Sequence, residues 1–482
     1  MLRKFAAVLL TGAAVLATAH AAAAAPNNGA NTEDRLRALE EELDNVNAQL
    51  GDLKRSQSTQ YDDLNQRAGV ITVKLDNGRP TIATGDGNFT LALRTLVQFD
   101  WAYYSQGTRP PGTDFSSGSN FRRARFGASG TLFHDWQYEF IYDFGGSGVE
   151  APGISSAFIQ YDGIAPLHLR VGAFPPSESF EDSTSASDLV FLERAQPTDI
   201  QRGIAGSDGR NAAQVFAYDD DYYASVAYTL GLVNDAAVFD EQQAVVGRVA
   251  YRLLRSLDYN LAVGGNFSYV FKIADTAAGP GSPTAFRLRE RPELNVDSQN
   301  IRLVDTGTID ASDYWDWGFE AAGNWKSVYA QGGYFGYNVA RRFGPLADPD
   351  FSGWYVQASW LLTGEQKPYR PERGAYSSPK PNDPLTFDNV GSGGGIGAWE
   401  IAARYSDLDL DYQAGAPGTV KTAAGFRGGD QKIYTVGLNW YPNTAIRFVL
   451  DYQHTDVGRL NAAGGSIGAK LDTISLRTQL SL

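Results

Sequence analysis

The chain has 482 residues, no cysteine and a formal charge of −14. That acidic balance excludes a nucleic-acid partner, which would require a basic surface, and the missing thiols exclude disulfides and thiolate metal sites. Mean hydropathy is −0.30, and no run of about 18 apolar residues follows the extreme N-terminus, so a membrane role requires a closed β-barrel, the other spanning solution that satisfies every backbone hydrogen bond.

Residues 1–25 read as a secretory signal peptide. Arg3 and Lys4 form its positive start, Phe5 to Val15 its apolar stretch, and Ala19-His20-Ala21 or the alanines up to Ala25 offer small-residue cleavage sites; Pro26 disfavours the last of these. Residues 26–60 are expected to form a periplasmic coiled-coil segment. Leu36, Leu39, Leu43, Val46, Leu50 and Leu53 follow each other at spacings of three and four, the a/d seam of a self-associating helix rather than the wider face of a helix lying on a core. Fewer than three heptads gain little alone, so assembly would need an oligomeric barrel beside it. Residues 61–88 read as a linker.

From residue 89 to 482 the hydrophobic period is two, over segments long enough for tilted membrane-crossing strands. Leu91, Leu93, Val97, Phe99, Trp101 and Tyr103 alternate with Arg94, Gln98 and Asp100. The same split recurs along the chain to Ile474, Leu476, Leu480 and Leu482. A soluble sandwich also alternates; the number of such strands, aromatic residues near their ends and the export signal favour an all-β transmembrane barrel. About 16 antiparallel strands are expected. Long stretches near 105–118, 175–211, 273–310, 364–395 and 412–430 contrast with two- or three-residue turns, an asymmetry of long loops at one end and tight turns at the other.

The alternation also assigns facing. Arg94, Arg123, Arg125, Arg170, Arg248, Arg252, Lys272, Arg404, Arg447 and Arg477 fall on the inward set; Asp100, Glu139, Asp143, Asp316, Glu320, Glu400 and Asp451 fall there too. Cations outnumber anions along this lumen in spite of the acidic whole. Guanidinium keeps its charge and contacts phosphate oxygens bidentately, and rings or ladders of charge set a pore's ion preference. The bland alternative is that these arginines pair with the inward carboxylates and brace the wall. Trp315, Trp317, Trp325, Trp354, Trp360, Trp399 and Trp440 lie on the apolar side and read as an interfacial girdle rather than a sugar-stacking track. His134, His168 and His454 form no Ser/His/acid arrangement, so no catalytic residue is assigned. Asp348 with Asp350, and Asp407, Asp409 and Asp411, read as solvated charge; no metal and no cofactor is expected.

Six ordered blocks carry a family resemblance: FRRARFGASGTLFHDWQYEFIYDF (121–144), RVGAFPPSESFEDSTSASDLVFLERAQP (170–197), LVDTGTIDASDYWDWGFEAAG (303–323), SGWYVQASWLLTGEQKPYRPERGAY (352–376), GAWEIAARYSDLDL (397–410) and VGLNWYPNTAIRFVLDYQH (436–454). Over residues 89–482 the chain resembles the phosphate-selective porin O/P family of Gram-negative outer membranes. The resemblance implies a trimeric 16-stranded porin set in outer-membrane lipid, whose third long loop, here 175–211 with Glu193 and Arg194 in its middle, folds inward to narrow the pore. Lysines are few, and Pro175 stands in Phe174-Pro175-Pro176 where the family carries a lysine. Expected solutes are therefore phosphate, polyphosphate or other small anions. The alternatives are a general diffusion or sugar porin, and a structural coiled-coil tether anchored by a barrel.

Overall fold

The computed structural model describes residues 32–68, 70–76, 79–110, 112–146, 152–236, 238–385 and 394–482. The expected signal peptide, residues 1–25, lies outside the described residues. Two compact units divide at Val70. The first is a helix, Thr32–Ala68, with Leu39, Leu43, Val46, Leu50 and Leu53 all exposed. It outruns the segment expected to end at residue 60. The stretch 61–88 is no plain linker: it holds the last turns of that helix and a hairpin of β1 (Ile71–Asp76) and β2 (Arg79–Thr84).

The second unit continues through β3 (Thr90–Thr108), β4 (Gly118–Leu132), β5 (Trp136–Asp143), β6 (Gly153–Ile164), β7 (Leu167–Ala173), β8 (Arg210–Tyr218), β9 (Tyr222–Leu232), β10 (Gln243–Arg255) and β11 (Tyr259–Lys272). After a two-stranded insert, β12 (Arg289–Glu290) and β13 (Val304–Asp305), come β14 (Ala311–Trp325), β15 (Val328–Arg341) and β16 (Asp350–Leu361). A second insert, β17 (Tyr369–Arg370) and β18 (Ala375–Tyr376), precedes β19 (Ala398–Tyr412), β20 (Phe426–Tyr441), β21 (Ile446–Gly458) and β22 (Ala469–Ser481). The main sheet has 18 strands. Its neighbours are antiparallel, and β22 returns to pair with β3 from Lys470↔Thr108 to Ser481↔Leu96. With β1 and β2 set aside as a flanking hairpin, 16 strands close into a barrel. Closure leaves these 16 strands without a free edge.

Burial along β3 decides what surrounds this barrel. Gln98, Asp100 and Ala102 are fully buried, while Phe99, Trp101 and Tyr103 are 40%, 43% and 53% exposed. Polar groups inside and large apolar groups outside invert the order of a water-soluble sheet and match a wall that faces lipid. Trp325, Trp354 and Trp360 share the exposed face, in keeping with a girdle.

Connections alternate between the two barrel ends. One end carries 109–117, 144–152, 174–209, 233–242, 273–310, 342–349, 413–425 and 459–468; the other carries 133–135, 165–166, 219–221, 256–258, 326–327 and 442–445. One long segment breaks the expected asymmetry. Residues 362–397, read from sequence as another of the long loops, join β16 to β19 and so belong to the turn end.

Candidate functional site in the barrel lumen

Loop 174–209 turns inward and lies against the far wall. Its backbone is gripped strand by strand: Phe180 N donates to Glu320 on β14 at 2.8 Å, Tyr337 Oη on β15 to the Pro197 carbonyl at 2.6 Å, Asn439 Nδ2 on β20 to the Val190 carbonyl at 3.0 Å, and Leu192 N to Asp451 on β21 at 3.0 Å. Buried backbone groups must find such partners, and the inward polar set of the strands supplies them. Loop 273–310 follows it inward, with Gln196 N donating to Glu293 at 2.8 Å. From the turn end, the stretch from Lys367 to Tyr376 enters as well. Lys367 Nζ sits 3.0 Å from Glu400, and Tyr376 Oη donates to the Ala322 carbonyl at 3.1 Å. Gly374 closes a short 3-10 turn at φ 55, where a Cβ would meet Tyr223 at 2.7 Å; only glycine fits that close approach.

The arginines expected to line the pore divide by what they meet. Arg477 is bidentate to Asp100 at 2.7 and 2.6 Å and reaches Glu193 at 2.8 Å. Arg404 holds Glu293, Glu181 and the Glu193 carbonyl. Arg447 donates to the Ser187 and Val190 carbonyls, and Arg123 to Gln98 at 2.8 Å with Glu193 at 3.5 Å. Arg248 binds the Arg373 and Gly374 carbonyls, clamping the turn-end segment. Arg252 lies over the Tyr369 ring, 4.0 Å from Asp221, and Lys272 is 3.0 Å from Asp240. Arg94 stays 4.0 Å from Glu139; Arg125 bridges Asp143 and Asp208 at 2.8 and 2.5 Å; Arg170 donates to Gln160. These last three line open space.

That space is two cavities. One, toward the loop end, holds about 760 Å³ and is lined by Arg122, Arg210, Arg287, Arg291, Arg302, Glu193 and Glu290 among others. The second, toward the turn end, holds about 1140 Å³ and includes Lys74, Arg79, Arg94, Arg125, Arg170 and Arg373. Arg194 and Arg202 of the inserted loop line both. Arg194 donates to the carbonyls of Glu181, Asp182 and Thr184, and Arg202 is paired with Asp182 at 2.8 Å and Asp208 at 2.5 Å. Of the two constriction-loop residues expected from sequence, Arg194 lines both cavities and Glu193 the loop-end one, where it is tied to Arg122 at 2.8 Å.

Burial alone would raise both loop carboxyls, but the cations outweigh it: Arg122, Arg123 and Arg477 hold Glu193 well below the usual carboxylate range, and Arg202 and Arg125 do the same for Asp208. Both stay ionised. Glu290 goes the other way, pushed up to about 8 by burial and by Asp199 against Arg302 and Arg291. Sequence reasoning missed Arg122 and Arg202. Arg122 falls on the outward phase of FRRARF, but a β-bulge on β4 opposite Gln98 and Phe99 inserts an extra residue there, which turns it to the lumen.

Residues 93–482 match the family described as phosphate-selective porin O and P. Porin O of Pseudomonas aeruginosa is 25% identical over 418 residues, covering 82% of this chain and 89% of its own. An uncharacterized protein of Caulobacter vibrioides is 25% identical over 385 residues, 78% of this chain and 70% of its own. An anion-selective porin from Comamonas acidovorans superposes with a TM-score of 0.48 at 12% identity, covering 82% of this chain and 100% of that one. With the family match running through nearly the whole barrel, from β3 to the last residue, this chain belongs to the phosphate-selective porin O and P family of outer-membrane porins.

Proposed function

We propose that this porin is an anion-selective diffusion pore for phosphate, polyphosphate or other small anions, in the Gram-negative outer membrane with its turn end and N-terminal helix on the periplasmic side. The observation that carries this reading is the pair Arg194 and Arg202, which lines both cavities. Basic side chains outnumber acidic ones in the lining of each cavity, and guanidinium holds its charge at any working pH. Passage needs entry to be favourable and binding weak enough for exit. Lys74 is the one lysine lining either cavity among the described residues, which supports broad traffic of small anions over tight phosphate capture.

A general diffusion pore is the second reading, favoured by the neutralisation of Arg404 and Arg477 against carboxylates. The two are separated by the reversal potential of the purified protein under a chloride gradient, with Arg194→Gln and Arg202→Gln combined. An anion-selective potential that largely collapses in the double variant supports the first; an unselective wild type supports the second.

The exposed leucine seam of Thr32–Ala68 supports association of three copies through this helix beside the barrels, since an a/d stripe left in water is costly. Leu43→Lys with Leu50→Lys should then lower the trimer fraction in light scattering.

A further inference from the structure

We infer that the turn-end cavity contains a subsite, walled by β6 to β8, that takes a planar organic anion such as an aryl carboxylate. It rests on the pore reading and specifies one class of solute within it.

The lumen-facing set of a porin strand is ordinarily polar, and β6 to β8 depart from this. Phe158, His168 and Phe216 face inward, with Gln160 paired to Arg170 and His168 to Phe216 across neighbouring strands. The rings are stacked: His168 lies 4.9 Å from Phe216 and 4.8 Å from Tyr218, at interplanar angles of 22° and 14°. The Arg170 guanidinium carbon sits 4.5 Å from the Phe158 centroid, 5.3 Å from Phe174 and 5.0 Å from Phe216. Phe158, Phe216, Tyr218 and Arg170 all line the cavity.

The partners of Arg170 point to the ligand. Its Nε and Nη2 both donate to one acceptor, Gln160 Oε1, at 2.9 and 2.6 Å. No carboxylate lies within 4.0 Å of it among the described residues. The other wall arginines of this cavity, Arg94 and Arg125, each face an acid. Arg170 therefore presents a guanidinium edge without a direct carboxylate partner, bordered by aromatic faces. A carboxylate suits that edge through charge-assisted hydrogen bonds, and a ring attached to it suits the faces through offset stacking. Strongly hydrated inorganic phosphate gains nothing from the rings, and a neutral sugar leaves the cation unmatched.

The test uses the purified full-length porin in planar bilayers, with single-channel chloride current recorded while benzoate or acetate is titrated at equal ionic strength. Benzoate should reduce the current saturably, at a concentration at least tenfold below that at which acetate acts. Phe158→Ser and Phe158→Leu should each bring the benzoate curve toward the acetate curve, and Arg170→Gln should weaken both anions. Superimposable benzoate and acetate curves in the unaltered protein, or an undiminished benzoate preference in both Phe158 variants, would overturn the subsite. Absence of any chloride current would instead overturn the pore reading. The subsite is then read from benzoate line-broadening in NMR spectra of the detergent-solubilised protein: broadening that acetate does not displace supports it, and unbroadened lines overturn it.

Discussion

On β19, β21 and β22 the inward arginines Arg404, Arg447 and Arg477 are at most 3% exposed and end on carboxylates or carbonyls of the inserted loops. On β4 and β7, Arg125 and Arg170 have the same facing but open onto the turn-end cavity. Nothing in the local sequence separates the two groups. What differs is the neighbour opposite: loop 174–209 leaves from β7 and crosses to the far wall, so the strands that receive it bury their cations as clamps, while Arg170 meets no acid of the loop and Arg125, though tied to Asp208, still borders the cavity. Alternation assigns a side of the wall, and the loop path assigns the role.

The comparison breaks first at its strongest clamp. Arg477→Met leaves Asp100 and Glu193 buried without their shared guanidinium, and losing one partner of a buried pair costs about 3–5 kcal/mol. Thermal unfolding in detergent should drop accordingly, and single-channel conductance should rise as the loop loosens. A variant as stable as the parent would show that the far wall does not hold the loop through this residue. Lys367→Met tests the clamp at the turn end. Glu400 keeps the Tyr441 hydroxyl at 2.7 Å and the Asn439 amide at 3.2 Å, so the cost is smaller, about 1–3 kcal/mol for one under-satisfied buried group. Release of the segment around Lys367 should appear as new tryptic cleavage after Arg373; resistance equal to the parent would sink that clamp.

How much of this was legible follows from what period two can encode. It gave the barrel, its 16 strands, and the inward facing of Arg94, Arg123, Arg125 and Arg170. It failed at Arg122, because a one-residue bulge shifts the phase without altering composition. It could not supply the pairs Arg477 with Asp100, or Arg404 with Glu293, whose members lie 377 and 111 residues apart; a single sequence carries no record of such distant contacts. The placement of 362–397 was recoverable in principle. Counting strands by parity puts it at the turn end, and length alone misassigned it. The aromatic sector around Phe216 is also visible in RNAAQVFAY, but the seven tryptophans alone were weighed as a lumen track.

On the water-facing strands, the expected effect is on selectivity and not on stability. Arg94 is about one quarter exposed and 4.0 Å from Glu139, a weakly paired cation, so Arg94→Gln should change unfolding by no more than about 0.5 kcal/mol. The anion-to-cation permeability ratio should nevertheless fall. A stability loss like that of Arg477→Met would erase the distinction between the two groups of strands.

The smallest expected effect is a pH dependence at the loop-end cavity. Glu290 is buried, 3.2 Å from Arg302, and burial with Asp199 raises its carboxyl to about 8. At neutral pH it is therefore mostly protonated and leaves the charge of Arg302 exposed to a passing anion. As pH rises through about 8 it ionises and cancels that charge, so the anion-to-cation permeability ratio should decline modestly between about pH 7 and 9 and level off above. Stability has the same sign: a carboxyl whose folded value lies above its unfolded one costs increasing stability as pH climbs from the unfolded value to the folded one. Glu290→Gln fixes the neutral form and should flatten the permeability profile at its low-pH level. A parent profile that rises with pH would assign the titration to another group, and a variant that keeps the decline would remove Glu290 from the ion path.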